Sequence, residues 1–285
     1  MAVPVANPPP PRSPMPSRIE AQHIYKLYGG HQAAALRLLQ QGADKATVLQ
    51  QTGAQVALND VSLQIAAAQT QVVMGLSGSG KSTLVRHFNR LIDPSAGRVL
   101  IDGQDILQLN AAGLRAMRRH TVSMVFQGFG LLPHQTVQDN VAYGLLTRGE
   151  AKRQARERAR HWLEKVGLAG QELRYPDELS GGMRQRVGLA RALAVDTDII
   201  LMDEPFSALD PLTRQDMQAL LLALQAELHK TIVFITHDVD EAFRLGHQIA
   251  LLRDGQLVQQ GTPDTLRHHP ADDYVARFIA GARHE

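Results

Sequence analysis

The chain has 285 residues, of which 44% are hydrophobic, a formal net charge of +2 and no cysteine. This length suits one large domain or one domain with a subdomain, and the balanced charge excludes a strong electrostatic pull toward nucleic acid. The lack of cysteine excludes disulfides and thiol chemistry, and no apolar run approaches the ~18 residues that span a bilayer. Since a signal-peptide pattern is also lacking, we expect a soluble cytoplasmic protein that meets a membrane only through a partner.

The N-terminal segment, residues 1–17, is rich in proline, with seven prolines in its length. This composition favours an extended, disordered tail. A proline-rich tail can also bind an SH3-like partner, but a solvated extension is the simpler interpretation.

The next segment alternates between strand and helix patterns. IEAQHIYKLYGG predicts a first strand that ends at a glycine pair, and VALNDVSLQI resumes the strand alternation. Between them, HQAAALRLLQQG places Ala35, Leu38 and Leu39 at helical spacing, with Gly42 as a stop signal. We therefore predict one helix inserted between two strands of an antiparallel flank.

A glycine-rich stretch, GLSGSGKS, runs from Gly75 to Ser82 and fits the pattern G-x-x-x-x-G-K-[ST]. It follows the apolar strand QVVM and precedes apolar residues at helical spacing, namely Leu84, Val85, Phe88 and Leu91. Glycines let the backbone aim several N–H groups at a phosphate, and the helix start adds its positive dipole end. Lys81 can reach the outer phosphates and the Ser82 hydroxyl can bind Mg²⁺. A chance glycine turn would not explain the flanking strand and helix.

The phosphate-binding residues predicted from this cradle include the residue that follows it. They are Gly75, Leu76, Ser77, Gly78, Ser79, Gly80, Lys81, Ser82 and Thr83.

Beyond the cradle, RVLIDGQDI contains an Asp-Gly pair and predicts a hairpin, and VSMVF predicts a buried strand. The following stretch EAKRQARERARHWLEKVGL places apolar side chains on one helical face, at Ala155, Ala159, Trp162 and Val166. Its arginines could form a nucleic-acid patch. Because glutamates are mixed among them, a solvated helical face is the better interpretation, and we expect no nucleic-acid partner.

A second anion-binding turn is predicted in LSGGMRQRVGLARAL, which begins at Leu179. Its serine and two glycines come just before a helix, where backbone N–H groups are free to bind an anion. Two such turns can hold one nucleotide only if they lie on opposite sides of it.

An acidic pair, Asp203 and Glu204, follows the apolar strand of DIILMDEP. Asp203 suits Mg²⁺ and Glu204 is placed to polarise an attacking water. Acidic residues often begin loops, so the pair is informative only together with the cradle. The rest of the chain alternates the helix LTRQDMQALLLALQAEL, the strand TIVFITH, the helix DEAFRLG and the hairpin IALLRDGQLVQQG, which predicts a mostly parallel sheet.

With these motifs in this order, the chain resembles the ATP-binding-cassette (ABC) ATPases from Ile19 to about Thr262. The resemblance implies an α/β P-loop NTPase fold with a RecA-like parallel sheet core, an antiparallel β subdomain and an α-helical signature subdomain. It implies a tail at residues 1–17, an ATPase domain at 18–262 with its helical subdomain at about 128–190, and a helical tail at 263–285.

The resemblance also implies ATP and Mg²⁺ as cofactors, and a second copy whose signature turn closes on the ATP. Tyr28 would stack on adenine, although it could be an ordinary aromatic at a strand end. The implied catalytic residues are Glu204, the switch histidine His237 and the Q-loop glutamine Gln127, and the implied metal ligands are Ser82, Gln127 and Asp203. The signature residues that would act in trans are Ser180, Gly181, Gly182 and Gln185. The D-loop residue would be Asp210.

Within that family the chain is similar to the glycine-betaine/proline (quaternary amine) importer ATPases. The similarity lies in the cradle stretch, the stretch around FQGFGLLPH, the signature, the stretch DEPFSALDPL and the helix inserted after Tyr28. It implies an ATP-hydrolysing subunit at the cytoplasmic face of the inner membrane, with permease subunits and a substrate-binding protein as partners. Residues 129–134, FGLLPH, are predicted to dock on the permease, with a buried loop as the alternative.

Three departures from this subfamily are present. The sequence ends at Glu285 without the paired CBS domains of many members, Gly128 replaces a bulkier residue, and the proline tail is atypical. The sequence does not identify the transported substrate, because the cassette does not touch it. Another amino acid or a taurine-like solute is the alternative substrate. A non-transport ABC ATPase acting on ribosomes or DNA is a further alternative, and the intact Glu204 disfavours a pure binding module.

Overall fold

The structure, a computed structural model, describes residues 17–281. The predicted N-terminal tail lies outside these residues except for Ser17, which opens the first strand rather than ending the tail. The last four residues of the predicted helical tail, 282–285, also lie outside.

The strands and helices of the described residues are joined by turns and loops. The strands are β1 (Ser17–Tyr28), β2 (Gln55–Ala66), β3 (Thr70–Met74), β4 (Ala96–Ile101), β5 (Gln104–Asp105), β6 (Val122–Val125), β7 (Ile199–Asp203), β8 (Thr231–Thr236), β9 (Gln248–Arg253) and β10 (Gln256–Gly261). The helices are α1 (Gln32–Gln40), α2 (Lys45–Thr52), α3 (Lys81–Phe88), α4 (Ala111–His120), α5 (Val137–Thr147), α6 (Lys152–Lys165), α7 (Gly181–Ala194), α8 (Pro211–Leu228), α9 (Val239–Leu245), α10 (Pro263–His268) and α11 (Asp273–Gly281).

The strands assemble into two sheets. A four-stranded antiparallel sheet has the order β2-β1-β4-β5, and a six-stranded sheet has the order β10-β9-β3-β8-β7-β6. In the larger sheet β9, β3, β8, β7 and β6 run parallel, and β10 pairs with β9 antiparallel. The predicted α/β fold with a parallel core and an antiparallel flank is therefore confirmed.

The parallel sheet is buried on both faces, which explains why its strands are apolar throughout. In β3, Val72 and Met74 point into one core while Val73 points into the other. The first core is covered by α8 and α9, and the second by α3 and the antiparallel sheet. This packing fixes the start of α3 at the carboxyl end of β3.

Helix α3 buries the apolar stripe that the sequence predicts, with one exception. Leu84, Val85 and Phe88 are fully buried, but Leu91 is 48% exposed. The helix ends at Phe88, so Leu91 no longer follows helical spacing.

The insertion after β1 contains two helices, α1 and α2, rather than the single helix predicted. Helix α2 begins because the Asp44 carboxylate accepts a hydrogen bond of 2.7 Å from the backbone N–H of Thr47. It ends at Gly53, whose φ of 67° is left-handed. Ala35, Leu39 and Val48 form a small apolar cluster with Leu27, so the insertion packs against the end of β1.

The helices α5, α6 and α7 form a subdomain with its own apolar core. Of the α6 face predicted to be buried, Ala155, Ala159 and Val166 are fully buried, whereas Trp162 is only partly buried. Helix α7 runs to Ala194, past the subdomain boundary predicted near residue 190.

Both predicted Asp-Gly hairpins are present, as β4–β5 and β9–β10. The turn residues Asp102 and Gly103 have φ of 49° and 78°, and Asp254 and Gly255 have φ of 49° and 74°. Left-handed values at both central residues are what a two-residue hairpin turn requires. Across residues 17–281, none of the helices has the length and apolar character needed to cross a bilayer.

Candidate active site

The loop between β3 and α3 forms the tight, glycine-rich cradle that the sequence predicts. Gly75 has φ of 151° and Gly80 has φ of 99°. A Cβ on Gly75 would lie 2.2 Å from the Leu252 carbonyl oxygen, and a Cβ on Gly80 would lie 2.8 Å from the Ala57 carbonyl oxygen. Only glycine fits at these two positions, since backbone atoms cannot move aside as a flexible side chain can.

The ammonium group of Lys81 is folded onto this cradle. Its Nζ donates hydrogen bonds to the carbonyl oxygens of Gly75, at 2.9 Å, and Leu76, at 3.0 Å. The side chain is 4% exposed, and burial lowers the pKa of Lys81 although Glu204, with Oε1 at 3.8 Å, opposes that shift. A buried cation held mainly by neutral carbonyls is poised to bind an anion in the cradle.

Below the cradle, Asp203 at the end of β7 is held by two residues of α3. The Ser82 hydroxyl donates to Asp203 Oδ1 at 2.6 Å, and Arg86 Nη2 donates to Asp203 Oδ2 at 3.1 Å. Asp203 is 1% exposed, so both oxygens are satisfied out of water. Arg86 was not predicted from the sequence; its signal is the spacing of four residues from Ser82, which puts both on one face of α3.

The remaining polar side chains of the site lie around Glu204. Its Oε2 lies 3.4 Å from Gln127 Nε2, beyond the end of β6, and 3.4 Å from His237 Nδ1, beyond the end of β8. Glu204 also has a left-handed φ of 45°, which costs a residue other than glycine about 1–3 kcal/mol. Such strain is common where a fold holds a functional side chain in place. The polar residues that follow the adjacent parallel strands β6, β7 and β8 thus lie close together.

A cleft of about 310 Å³ lies over these groups and is mainly polar. It is lined by Ala57, Ser77, Gly78, Gly80, Lys81, Ser82, Thr83, Gln127 and Glu204. In the part of the chain that the structure describes, no group of three or more histidine, cysteine or acidic side chains could hold a metal ion by itself. The donors near the cleft are a hydroxyl, an amide and a carboxylate, the oxygen set that suits Mg²⁺ when substrate oxygens complete its shell.

Tyr28 ends β1 and is 39% exposed. Lys26 Nζ lies 4.9 Å from the centroid of its ring. Tyr28 is not among the described residues that line the cleft.

The predicted signature residues lie at the start of α7, and none of them lines the cleft formed by residues 17–281 of one chain. Ser180 is exposed and caps the helix by accepting a 3.3 Å hydrogen bond from the Met183 N–H. Gly181 faces open space, whereas a Cβ on Gly182 would lie 2.4 Å from Thr213 Cγ2. Ser180 and Gly181 therefore present an open turn that a second molecule could approach.

The fourth predicted signature residue, Gln185, is buried rather than exposed beside Ser180 and Gly181. Its side chain is 1% exposed, and both amide atoms are buried without a hydrogen-bond partner among the described residues. In one copy of the chain the structure therefore does not bring Gln185 to the open turn, and its role toward ATP in trans stays a prediction.

Asp210 caps α8 by accepting a 3.0 Å hydrogen bond from the Thr213 N–H, and this bond lowers the pKa of Asp210. The neighbouring Arg214 donates to the Leu209 carbonyl at 3.2 Å and to Asp238 Oδ2 at 3.4 Å. Arg214 was not predicted from the sequence. It joins the segment around Asp210 to the segment that carries His237.

Comparison with known proteins identifies relatives of this chain. A family described as ABC transporter matches residues 58–207. The chain is 52% identical over 267 residues to the glycine betaine/proline betaine transport system ATP-binding protein ProV of Salmonella typhimurium, covering 94% of this chain and 67% of that protein. It is 51% identical to the glycine betaine/carnitine transport ATP-binding protein GbuA of Listeria monocytogenes, covering 92% and 66%.

A further relative is the trimethylamine N-oxide transport system ATP-binding protein TmoW of Ruegeria pomeroyi, 50% identical with coverage of 91% of this chain and 76% of that protein. The chain therefore spans about two thirds to three quarters of the length of these relatives. Among solved structures, a dimeric ATP-binding cassette in a post-hydrolysis state with ADP and Pi is similar, with a TM-score of 0.73 and 32% identity over 86% of this chain and 98% of that one.

Proposed function

Since the chain belongs to the ABC transporter family, we propose that it is the ATP-hydrolysing subunit of an importer for quaternary amines. The observation that carries the hydrolytic part is the convergence on Glu204. One carboxylate, held in a strained backbone conformation, meets the lysine of a phosphate cradle, an amide and an imidazole. This is the composition needed to hold a triphosphate and orient a water against its last phosphate.

The cradle and Lys81 bind the phosphates of ATP in this proposal. The amides of Gly75–Thr83 point at phosphate oxygens, and Lys81 exchanges its two carbonyl partners for the outer phosphates. Ser82, Asp203 and Gln127 would hold Mg²⁺, whose charge neutralises the phosphate oxygens. The 2.6 Å contact of Ser82 with Asp203 supports this assignment, because the two oxygens already meet at one point.

Glu204 acts as the general base toward the attacking water. Its carboxylate accepts the water proton as the water oxygen attacks the γ-phosphorus, and the bond from that phosphorus to the β–γ bridging oxygen breaks, which releases ADP and phosphate. His237 contacts the γ-phosphate, and Gln127 orients the water and would be a further ligand of Mg²⁺. The 3.4 Å separations from Glu204 Oε2 support both roles, because one water or phosphate oxygen can bridge the three side chains.

The site is completed by a second copy of the chain. Ser180, Gly181 and Gly182 of one copy close over the γ-phosphate of the ATP held by the other, with Asp210 at the seam, and Tyr28 stacks on adenine. The open turn at Ser180 and Gly181 supports this, as does the dimeric state of the similar cassette structure. Closure of the dimer would exclude bulk water from the reaction.

The transport part of the proposal rests on the relatives. Their names include glycine betaine, proline betaine and carnitine as substrates of the systems they energise, and TmoW extends the range to trimethylamine N-oxide. We propose a small zwitterionic or cationic methylated amine as the substrate class. Permease subunits would hold the ATPase at the cytoplasmic face of the inner membrane, and a substrate-binding protein would deliver the solute.

The docking segment for the permease would be residues 129–134. Pro133 and His134 are exposed, and Phe129, Leu131 and Leu132 are partly buried. This mixture supports a surface loop with apolar side chains available to a partner rather than a buried loop.

The hydrolytic part is tested with the purified full-length chain. We expect release of phosphate from ATP that requires Mg²⁺ and rises more steeply than linearly with protein concentration, because two copies form each site. Hydrolysis that is absent with Mg²⁺ at every protein concentration would contradict the proposal.

A further inference from the structure

Two arginines on one side of α7, Arg184 and Arg191, contact the loop that carries Gln127. They are seven residues apart, or about two helical turns, so they lie on the same face. Arg191 Nη1 donates to the Gly130 carbonyl at 2.6 Å, and its Nη2 donates to the Phe129 carbonyl at 3.0 Å. The guanidinium thus holds two consecutive carbonyls with its planar fork.

The backbone that Arg191 holds is strained. Phe129 has φ of 62° and Gly130 has φ of 56°, so two residues in succession are left-handed. The conformation is natural for Gly130 but is a genuine outlier for a bulky residue such as Phe129. Strain of this kind persists only where surrounding contacts enforce it.

Arg191 has no other strong partner that would explain its position. Among residues 17–281 it forms no ion pair with a carboxylate, and burial lowers the pKa of its guanidinium. Placing a cation in this environment is costly unless its donors are satisfied. The two loop carbonyls are therefore the reason that an arginine is tolerated there.

Arg184 links the same loop to the other end of the helix. Its guanidinium carbon lies 5.3 Å from the centroid of the Phe129 ring, a cation–π contact. Its Nη1 donates to the Leu179 carbonyl at 2.5 Å, directly before Ser180. One side chain thus contacts both the strained loop and the signature turn.

We propose that Arg184 and Arg191 are positioning residues that tie the Gln127 loop to the signature turn, so that α7 and Gln127 move as one unit. The effect of this tie on ATP hydrolysis rests on the proposed function. When the signature turn of one copy closes on the ATP of its partner, the movement of α7 carries Gln127 of its own copy into or out of line with Glu204. ATP sandwiched at one site would thereby adjust the catalytic amide of the other.

The kinetic test compares Arg191→Met and Arg191→Lys with the matched control Arg160→Met, an exposed arginine of α6. We expect Arg191→Met to lower kcat for ATP roughly 10- to 100-fold, because a misplacement of about 1 Å costs that much, with KM for ATP within about twofold of the parent. The kcat of Arg191→Lys should lie between those of Arg191→Met and the parent, since lysine keeps the positive charge but not the planar fork of donors. A raised KM with unchanged kcat, or a fall in melting temperature with unchanged kcat, would overturn the proposal.

A second measurement tests the tie without relying on catalysis. Because the chain has no cysteine, spin labels can be placed only at introduced sites, here Gly128→Cys in the loop and Glu157→Cys on α6. The parent should give a narrow distance distribution between the labels, and Arg191→Lys or Arg184→Gln should broaden it in protein that remains folded by circular dichroism. An unchanged distribution would overturn the proposal. If the parent hydrolyses no ATP, the proposed function fails while this measurement still decides whether the tie exists.

Discussion

Nδ1 of His237 lies 3.4 Å from Oε2 of Glu204, although the two residues follow different strands of the parallel sheet. The relationship exists because β7 and β8 are paired in register, with Asp203 opposite Ile235, so their carboxyl ends meet at one edge. At this edge the fold places a base candidate and a hydrogen-bonding imidazole side by side. The proposed chemistry depends on this pair.

Glu204→Gln should keep ATP binding but lower turnover by about 100- to 10,000-fold, the usual contribution of a general base. The amide retains the size of the carboxylate and one acceptor oxygen, but it cannot accept the water proton. Phosphate release measures turnover, and gel filtration with ATP should show a stabilised dimer. Glu164→Gln, on the exposed side of α6, is the control; turnover of Glu204→Gln equal to that of the control would remove Glu204 from the role of base.

Lys81→Met should weaken ATP binding by about 10- to 150-fold, because each hydrogen bond to a charged group contributes about 1.5–3 kcal/mol. Methionine keeps much of the apolar stem, so the cradle should stay folded. Equilibrium binding of a fluorescent ATP analogue gives the affinity, with the exposed Lys152→Met as the matched change. Equal affinities for the two variants would show that Lys81 does not bind phosphate.

Gly75→Ala should abolish ATP binding and lower stability, since its Cβ would lie 2.2 Å from the Leu252 carbonyl oxygen in a left-handed backbone. Gly128→Ala is the control for the substitution itself: no atom lies within 4 Å of a Cβ there, among the residues described. We expect the melting temperature to fall only for Gly75→Ala. A Gly75→Ala protein as stable as Gly128→Ala would mean that the cradle relaxes more easily than its packing indicates.

The stability of the protein should fall in mild acid because of His87. Burial lowers the pKa of this ring to about 4, against 6.5 for a free histidine, while its Nδ1 donates to the Thr83 carbonyl at 2.5 Å. Between these two values the unfolded ring holds a proton that the folded ring does not. The stability from the neutral buried ring is therefore complete above about pH 6.5 and is lost toward pH 4, by about 3 kcal/mol in total.

Urea unfolding between pH 4 and 7 measures this slope, with His87→Leu as the variant. The variant should lose most of the dependence on pH, and the exposed His120→Gln should keep it. A parent protein with the same free energy of unfolding at pH 5 and pH 7 would contradict the assignment.

The sequence predicted the order of the strands and of most helices because these elements have a clear apolar period, but it named no helix over α4 or α5. Helix α2 was missed because it has no apolar stripe: its two largest apolar side chains are Val48, buried, and Leu49, 52% exposed. Its local signals were the cap at Asp44 and the glycine stop at Gly53.

The cradle and the acidic pair follow from local patterns, but the contacts between distant segments do not. Arg86 and Asp203 are 117 residues apart, and Arg191 lies 62 residues from Phe129, so only the fold brings each pair together. The burial of Gln185 was not predicted for the same reason, because it is set by the packing around α7. The roles assigned to the site residues remain predictions.

The central claim is most directly tested by reconstitution in liposomes. The chain would be coexpressed with a candidate permease and binding protein from the same organism, and ATP hydrolysis followed with glycine betaine, choline, proline and taurine. The account predicts stimulation by glycine betaine or choline in the parent complex and none in the Lys81→Met complex. Stimulation by taurine alone, or by none of the four solutes with basal hydrolysis intact, would contradict the claim that this ATPase drives quaternary-amine uptake.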